Sequence, residues 1–363
     1  MQRIILHVDL DYFYAQVEEK KDSSLKHKPI VVCQYSGRTK DSGAVATTNY
    51  IARKFNVRSG LPIIVAKKLL EGQESSFIAA DHELYEIISN DVMAILRRHS
   101  DIFEKVSIDE AFLDISSLVS GSYDEAETIA TGIKDDLRRT QGLTCSIGIG
   151  PNKLITKIAS DFRKPDGITI VKPGDVKKFL LPLEVGKLYG VGVKTKARLG
   201  QMGIRTVEQL ANYDPSKIID EFGTKFGTYL HLSAHGEDND PVEEKRMQEQ
   251  IGRIATLKEN TRDMEVISNV LAELAADVHS QIVDKGLKFK AVSIMAIMED
   301  LSTKSKTRTL DAITDSLDSM KNNANQLFRA LLDKERKDVR RVGIKVSNLS
   351  ELTGQAALTD FKN

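Results

Sequence analysis

The sequence predicts an α/β (α+β) fold made of two β-α-β-β-α-β units, the first of them ferredoxin-like, with a helical segment between the two. Two observations predict it. Apolar strand patterns alternate with helical spacings up to about residue 166, and the same order of strands and helices recurs after residue 246. A length of 363 residues is enough for two to four domains, so two such units fit within it.

Composition excludes several classes of protein. Lys+Arg and Asp+Glu each total 52, so the chain is not a uniformly basic polyanion binder. No apolar run is long enough to span a membrane, and Asp9 comes before a signal peptide could form its apolar region. Cys33 and Cys145 lie in separate apolar runs, which favours buried reduced thiols over a disulfide or a metal site. We therefore expect a cytoplasmic protein with no membrane partner.

The first strand, residues 3–10, runs into two aspartates, Asp9 and Asp11. A carboxylate at the end of a buried strand needs a cation. The alternative for Asp9 is a solvated strand end. Asp11 precedes a helix that we expect to begin at Tyr12, and aspartate is a favoured N-cap, so Asp11 is predicted to cap that helix. Asp9 is then the candidate for a cation site.

The chain continues with a strand over residues 28–33 and a stretch of small residues that leads into a helix carrying Tyr50 and Arg53. Lysines and arginines outnumber acids over residues 38–68, which suits a polyphosphate ligand. The apolar spacing then predicts, in order, a helix over 81–99, a strand over 103–115, a helix over 126–139 and a strand over 143–149.

Asp109 and Glu110 are adjacent acids in the strand predicted over 103–115. Two carboxylates in an apolar strand without a nearby basic partner are costly to bury unless they face a cation. Together with Asp9 they form a candidate metal site, and ligation by oxygen alone suits Mg²⁺ or Mn²⁺ rather than zinc. We expect two Mg²⁺ ions, replaceable by Mn²⁺, because such a pair about 3.5–4 Å apart is the usual clamp for nucleotidyl transfer.

Residues 187–199 have the form of a helix-hairpin-helix. Gly190 and Gly192 would let backbone N–H groups meet a phosphate at a helix start, with Lys194 and Lys196 nearby. A dinucleotide-binding fingerprint is the alternative interpretation, but no strand precedes the motif and its third glycine is missing.

The C-terminal part follows a polar run, residues 237–246, that predicts an interdomain linker. Before it, His231 and His235 are four residues apart, a spacing that suits zinc, but no third ligand is evident, which favours a core or surface pair. Beyond it the pattern predicts strands over 251–257, 289–298, 307–311 and 339–346 and helices over 264–283 and 317–332. The basic residues expected along phosphates are Arg253, Lys304, Lys306, Arg308, Arg340 and Arg341. Exposed basic residues also discourage pairing at a sheet edge, which is the alternative for each of them.

Three segments resemble the core motifs of Y-family translesion DNA polymerases, in the archaeal and bacterial polymerase IV-like (DinB-type) branch. They are VDLDYFYAQVE (8–18), SGAVATTNYIAR (42–53) and SIDEAFLD (107–114), and the resemblance runs over nearly the whole chain. It implies a palm (1–10 and 77–166), fingers (11–76), a helix-hairpin-helix thumb (167–236), a linker (237–246), a little finger (247–348) and a tail (349–363). The implied activity is template-directed addition of deoxynucleotides to a primer 3′-hydroxyl, past damaged bases, without a proofreading exonuclease.

The resemblance also implies residue roles. Asp9, Asp109 and Glu110 match the metal-binding carboxylates, and Leu10 matches a residue that ligates through its backbone carbonyl. Tyr14 matches the steric gate that rejects a ribose 2′-hydroxyl. Further matches are Tyr12 and Phe13 at the substrate, Thr47, Tyr50, Arg53 and Lys164 at the triphosphate, and Ala44 and Gly60 in the roof over the nascent pair. Gln34 and Tyr189 depart from the family pattern, which has an apolar residue and a proline there.

The tail carries Gln355, Leu358 and Phe361 at the spacing of a sliding-clamp peptide, with Lys362 in place of the second aromatic. A disordered chain end is the alternative. We expect a monomer whose partners are primer-template DNA and deoxynucleoside triphosphates. A non-catalytic DNA-binding protein is a second hypothesis, but it predicts loss of the three carboxylates. A palm-type nucleotidyl cyclase is a third, and it does not account for the hairpin or the basic C-terminal domain.

Overall fold

The computed structural model describes residues 3–244 and 248–351. The chain divides into two compact units. The first takes most of the chain up to Lys245, and the second takes the rest together with Gln34–Ala44 and Pro62–Ile64. Each unit has its own hydrophobic core, and the mixed α/β class is confirmed. Within the described residues, no helix has the length and apolar character needed to span a membrane. The predicted palm, fingers and thumb boundaries stay predictions.

The secondary structure up to residue 244 has eight strands and eleven α-helices among the described residues. The strands are β1 (Ile5–Leu10), β2 (Ile30–Tyr35), β3 (Gly43–Thr48), β4 (Ser76–Ala79), β5 (Ile102–Lys105), β6 (Glu110–Asp114), β7 (Cys145–Gly150) and β8 (Ile168–Ile170). The helices are α1 (Phe13–Lys21), α2 (Tyr50–Lys54), α3 (Ile63–Leu69), α4 (His82–Arg97), α5 (Tyr123–Gln141), α6 (Lys153–Ser160), α7 (Val176–Leu180), α8 (Val193–Gln201), α9 (Val207–Ala211), α10 (Pro215–Phe222) and α11 (Thr224–Ala234).

The main sheet of the first unit has the strand order β5-β6-β1-β7-β8, with β1 in the centre. Strand β1 is antiparallel to β6 and β7, and β8 adds in parallel to β7. The first four of these strands have the ferredoxin-like order, as predicted. Leu6, Val8 and Leu10 point into the core that α4 and α5 help to form, because alternate residues of a strand face opposite sides. His7 and Asp9 therefore face the other side, where α6 packs.

The strand predicted over residues 103–115 is a hairpin of two strands, β5 and β6, so that part of the prediction was wrong. The amides of Val106 and Ser107 both donate to the carbonyl of Glu110, at 3.0 and 3.2 Å, which closes the turn. The Ser107 hydroxyl also donates to Asp109 Oδ1 at 2.6 Å. Asp109 therefore lies in the turn, and Glu110 is the first residue of β6.

Helix α6 packs closely on β7 at Gly148. A Cβ atom on Gly148 would lie much closer than the van der Waals distance to two backbone atoms of α6, the Thr156 carbonyl oxygen and the Ser160 amide nitrogen. His7 Nδ1 and Ser160 Oγ are 2.8 Å apart, which fixes the same helix against β1. The missing side chain at Gly148 is thus what allows α6 to cover the face of β1 that carries Asp9.

Residues 236–244, which we call the strap, include the first part of the predicted linker, and they make specific contacts. The strap packs along the first unit. Asn152 Nδ2 donates to the Gly236 carbonyl at 2.8 Å, and Asp238 Oδ2 accepts from the Leu154 amide at 2.8 Å. Val242 is 4 % exposed. A polar run broken by a proline predicts a linker when only neighbouring residues are considered. The hydrogen-bond partners of the strap are Asn152, the N-cap residue of α6, and Leu154 of α6, both 84 residues away in the sequence.

A buried ion pair lies beneath the strap. Lys153 Nζ lies 2.8 Å from Glu104 Oε2, and both side chains are more than nine-tenths buried. The Pro241 carbonyl accepts from the same ammonium at 3.2 Å, and the Glu243 amide donates to Glu104 Oε2 at 3.2 Å. The pair therefore ties β5, α6 and the strap together.

The C-terminal part of the second unit contains β9 (Gln250–Thr261), α12 (Met264–Asp284), β10 (Leu287–Met298), β11 (Thr303–Thr314), α13 (Leu317–Leu332), β12 (Val339–Ser347) and β13 (Ser350–Glu351). The order of elements from β9 to β12 is the predicted β-α-β-β-α-β order. The strand order, β11-β10-β12-β9, differs from that of the first unit, because the first strand is here at the edge rather than in the centre. Both helices cover one face of the sheet and bury Val278, Phe289 and Phe328.

We predict that Gly148→Ala lowers the free energy of unfolding by about 3 kcal/mol or more, because backbone atoms of α6 have to move to admit the methyl group. Gly132→Ala is the matched control. Gly132 lies inside α5 with nothing within 4 Å of a Cβ, so its alanine variant should be stabilised by about 0.5–1 kcal/mol. Chemical denaturation of both variants checks the expectation, and equal effects at the two positions would contradict it.

Candidate active site

The predicted carboxylates meet at one end of the first sheet. Asp9 in β1 is the direct antiparallel partner of Glu110 in β6, and the Leu10 amide donates to the Asp109 carbonyl at 2.9 Å. Asp9 is 8 % exposed. The hairpin turn and the central strand thus bring Asp9 together with Asp109 and Glu110, which are about a hundred residues away in the sequence.

Two lysines neutralise two of these acids. Lys164 Nζ lies 2.7 Å from Asp9 Oδ1 and 2.8 Å from Asp161 Oδ1. Burial alone would lower the pKa of Lys164, but the two carboxylates outweigh it and raise that pKa. Lys157, which the sequence did not single out, donates to Glu110 Oε2 at 2.9 Å. Lys157 lies three residues before the end of α6, so only the packing of α6 on the sheet reveals it.

Burial raises the pKa of Asp9 to about 7, even though Lys164 opposes the shift, and the negative charges of Glu110 and Asp109 add to it. Burial likewise raises the pKa of Asp109, and its hydrogen bond from Ser107 only partly opposes this. The carboxylates therefore carry more negative charge than the neighbouring lysines compensate. A cation at this end of the sheet would relieve that cost.

The donor chemistry fits a hard divalent cation, because every candidate ligand is an oxygen. Within residues 3–244 and 248–351, however, no group of three or more His, Cys, Asp or Glu side chains is gathered closely enough to hold a metal ion on its own. Lys164 supplies the positive charge at Asp9 instead. The Leu10 side chain is 2 % exposed and lies in the core, which leaves only its backbone for the predicted ligation.

Asp11 does not cap a helix, so that prediction was wrong. Helix α1 begins at Phe13, and its N-cap residue is Tyr12, which has φ +37° and makes no side-chain cap. The Asp11 carboxylate is buried and accepts from Ser146 Oγ at 2.7 Å, Thr144 Oγ1 at 2.9 Å and the Asp166 amide at 2.8 Å. It therefore joins β1 to β7 and to the loop that carries Lys164.

A basic cavity of about 680 Å³ lies beside α2, and we call it the basic pocket. Its lining residues are Thr47, Thr48, Tyr50, Arg53, Lys54, Arg58 and Ser59, which include three of the predicted triphosphate residues. The Arg53 guanidinium lies 4.6 Å from the centre of the Tyr50 ring and donates to the Thr48 carbonyl at 3.1 Å. The buried Tyr50 hydroxyl has no hydrogen-bond partner among the described residues. An oxyanion would satisfy it.

The three consecutive aromatics have different environments. The half-buried Tyr14 ring stacks on Tyr85, with centroids 4.2 Å apart. Tyr12 packs edge-on against Tyr50 at 5.2 Å and donates to Glu19 Oε2 at 3.1 Å. Phe13 is 2 % exposed and belongs to the core. Its predicted place at the substrate is therefore wrong for the side chain, because a residue in the first turn of α1 that faces the core cannot also line the site.

The two predicted roof residues are both exposed. Ala44 forms a bridge with Pro62, and the Gly60 amide donates to the Val45 carbonyl at 2.9 Å. Gly60 has φ +87°, a conformation that favours glycine. Their role in a roof stays a prediction.

The predicted hairpin is present before α8. Gly190 has φ +82° and faces the Tyr229 ring, and Gly192 is the N-cap residue of α8. Lys194 is exposed, and the equally exposed Lys196 pairs with Glu184 at 2.7 Å. The histidines predicted as a core or surface pair contact each other, since His235 Nδ1 lies 2.9 Å from the His231 carbonyl.

The basic residues of the second unit do not share one face. Strand register puts Ser293, Ser305, Thr307, Arg341 and Lys345 on the side away from the helices. A groove of about 420 Å³ is lined by Ser293, Ser305, Thr307 and Lys345, and also by Arg253. Four basic residues are cross-strand partners of residues that face the helices. They are Arg253, Lys304, Lys306 and Arg308. Lys304 pairs with Glu335, Lys306 donates to the Ala330 carbonyl, and Arg308 contacts Asn323 and Gln326. Lys345, which sequence reasoning missed, becomes evident only once the strand register is known.

Comparisons with known proteins cover nearly the whole chain. Residues 8–161 match the impB/mucB/samB family, residues 248–358 match the C-terminal domain of that family, and residues 186–238 match a DNA polymerase-iota thumb domain. The chain is 43% identical to DNA polymerase IV of Methanosarcina acetivorans, over 99% of this chain and all of that protein. It is 42% identical to DNA polymerase IV of Nitrosopumilus maritimus, over 99% of both chains.

Solved structures of similar proteins have the same fold. A Y-family DNA polymerase chimera, Dbh-Dpo4(243-245)-Dbh, superposes with a TM-score of 0.90 at 36% identity, and the match covers 96% of this chain and 99% of the other. An insertion ternary complex of Dbh DNA polymerase, also 36% identical with the same coverage of both chains, gives a TM-score of 0.71.

We predict that, in a chelator, the contribution of Asp9 to the free energy of unfolding decreases as pH rises from about 4 to about 7. The pKa of Asp9 is near 3.8 in the unfolded chain and about 7 in the folded one, so the folded state binds more protons over this range. Urea denaturation across the range measures the slope. Asp9→Asn should make the slope more positive than in the parent protein, and an unchanged slope in that variant would show that Asp9 does not contribute.

Proposed function

The chain belongs to the Y family of DNA polymerases, and we propose that Asp9, Asp109 and Glu110 are the carboxylates on which its reaction depends. It is a DNA-directed DNA polymerase that adds deoxynucleotides to a primer 3′-hydroxyl on a DNA template and copies past damaged bases. The observation that supports the proposal is the cross-strand pairing of Asp9 with Glu110, one residue from Asp109, at the end of a buried strand.

Enzymes of this family depend on divalent metal ions, and for this chain we propose two Mg²⁺ ions, with Mn²⁺ as a substitute. Asp9, Asp109, Glu110 and the Leu10 carbonyl would hold them. When bound, such ions lower the pKa of the attacking hydroxyl and stabilise charge on the phosphates. Oxygen-only donors and the raised pKa of Asp9 support this choice.

Lys164 is proposed to bind the triphosphate of the incoming nucleotide. In the structure it neutralises Asp9 and Asp161, so its ammonium already lies beside the carboxylates of the proposed metal site. A triphosphate carries several negative charges and is a stronger partner for this ammonium than one carboxylate. Transfer of Lys164 from Asp9 to phosphate would leave Asp9 available to a cation, so nucleotide and metal would bind together.

The basic pocket is proposed to hold the triphosphate through Thr47, Tyr50 and Arg53. Its volume and lining, the planar guanidinium of Arg53 and the unpartnered Tyr50 hydroxyl support this. Lys54 and Arg58 add positive charge at the same cavity.

Tyr14 is proposed as the steric gate. Tyr14 is half-buried, and its pKa is raised first by burial and then by the negative charge of Asp109, which supports a place near that carboxylate. A ring beside the sugar would reject a 2′-hydroxyl by contact alone. Ala44 and Gly60 are proposed to roof the nascent pair because neither has a side chain large enough to obstruct a base.

DNA is proposed to contact two surfaces. At the hairpin, the backbone around Gly190 and Gly192 and the exposed Lys194 would meet phosphates at the start of α8. On the second unit, Arg253 and Lys345 line the groove, and Arg341 has the same strand register as Lys345. The predicted contacts of Lys304, Lys306, Arg308 and Arg340 would then come from the sheet edges and strand ends rather than from the groove.

We further propose a monomer that binds a sliding clamp through Gln355, Leu358 and Phe361. These three residues lie outside the described part of the chain, so the proposal rests on their spacing and on the family. The cytoplasmic location expected from the sequence is proposed on the same family grounds.

We predict that Asp109→Ala lowers primer extension with Mg²⁺ by at least about 10²–10³-fold, because a carboxylate that stabilises charge in the transition state is lost. DNA affinity, followed by fluorescence anisotropy, should stay near that of the parent enzyme. Asp91→Ala, at an exposed aspartate of α4, is the control. Extension by the Asp109 variant at the control's rate would refute the metal assignment.

We predict that Tyr14→Ala admits ribonucleotides. The ratio of kcat/KM for a deoxynucleotide to that for its ribonucleotide should fall by on the order of 10²-fold, because the ring that contacts the sugar is gone. Single-nucleotide insertion on an undamaged template measures the ratio. Unchanged sugar selectivity would mean that Tyr14 is not the gate.

A further inference from the structure

Tyr14 has a support on its side away from the solvent. Its ring stacks on Tyr85 of α4 with centroids 4.2 Å apart and planes 14° apart. Tyr85 is fully buried, so the stack is backed by the core rather than by water. The position of the Tyr85 ring therefore decides where the Tyr14 ring can lie.

A buried acid fixes Tyr85. The Tyr85 hydroxyl donates to Glu18 Oε1 at 2.7 Å, and Glu18 is 4 % exposed. Burial raises the pKa of Tyr85, as does the bond to Glu18, so the hydroxyl stays protonated and acts as the donor. Lys21 Nζ, 4.0 Å from Glu18 Oε2, balances the charge of the acid from the surface.

Two residues of α1, Tyr14 and Glu18, both contact the Tyr85 side chain of α4. Tyr14 and Glu18 are four residues apart in α1 and so share a face. Tyr14 contacts the flat side of Tyr85, and Glu18 holds its hydroxyl. Stacked rings slide over each other at little cost, whereas a short hydrogen bond to a buried carboxylate fixes the ring along its long axis.

A buried carboxylate here is not explained by helix formation or core packing. Burying an acid costs free energy that an apolar side chain of the same size would not. Such a group is retained where it defines a geometry. Steric exclusion of a single hydroxyl is a task of that kind, because a displacement of about 1 Å at a site can change rates by two orders of magnitude.

We propose that Glu18 is a positioning residue for sugar selection, which it exerts by holding the Tyr85 ring against which Tyr14 stacks. The proposal rests on the proposed role of Tyr14 as the gate. It extends sugar selection to a side chain that lies under the site and contacts neither the nucleotide nor the carboxylates.

The test compares kcat/KM for a deoxynucleotide and its ribonucleotide in four variants. Glu18→Met and Tyr85→Phe both remove the hydrogen bond and keep the bulk, and each should lower the discrimination ratio by about tenfold, the effect of one lost charge-assisted hydrogen bond. The deoxynucleotide value should stay nearly unchanged. Glu18→Gln keeps an acceptor oxygen and should restore most of the ratio.

Tyr123→Phe is the matched control, because Tyr123 is a buried tyrosine of the same core whose hydroxyl has no hydrogen-bond partner among the described residues. It should leave the ratio unchanged. If Glu18→Met does not fold, Tyr85→Phe, which removes one oxygen only, decides the matter.

Three results separate the hypotheses. A tenfold lower ratio in Glu18→Met and Tyr85→Phe, with rescue by Glu18→Gln, supports the proposal. An equal fall for both nucleotides, or no fall in variants that do fold while Tyr14→Ala still loses selectivity, overturns the role of Glu18 and leaves the gate standing. Unchanged selectivity in Tyr14→Ala overturns the gate, and the role of Glu18 with it.

Discussion

The structure of the site depends on how two aspartates at the end of one buried strand are compensated. Asp11 accepts hydrogen bonds from Thr144, from Ser146 of β7 and from the Asp166 amide, so its charge is satisfied within the protein. Asp9 has one ammonium, and burial still raises its pKa. The end of the same strand thus carries one carboxylate, Asp11, whose charge is fully compensated by hydrogen bonds, and one, Asp9, whose charge is not. Only the unsatisfied acid is available to a cation and to chemistry.

Local sequence patterns predicted the three carboxylates but not the partners that define their environment. Asp9, Asp109 and Glu110 stood out because acids at strand ends are unusual. Asp11 was misassigned because an N-cap is a local interpretation, whereas its real donors are more than 130 residues away. Three-dimensional proximity of this kind leaves no periodic trace in a single sequence.

The same limit explains the other differences. The basic residues of the second unit were correctly placed near its strands, but their faces depend on cross-strand register, which residue type alone does not give. The contacts of the strap were not predicted, because a polar run with a proline indicates a linker and its buried apolar residue, Val242, is isolated in the sequence. No role was predicted for Glu18 or Tyr85 from the sequence. Their contact joins α1 and α4, which are separated in the sequence by residues 22–81.

The buried Lys153–Glu104 pair under the strap has a consequence for behaviour on heating. The hydration free energy of charged groups becomes less favourable as temperature rises, so the penalty for having removed this pair from water shrinks. The stabilisation that comes from burying apolar surface changes little over the same range of temperature. The attachment of the strap to α6 and β5 should therefore weaken less with temperature than a purely hydrophobic attachment of the same size, which makes this face of the first unit suited to warm surroundings.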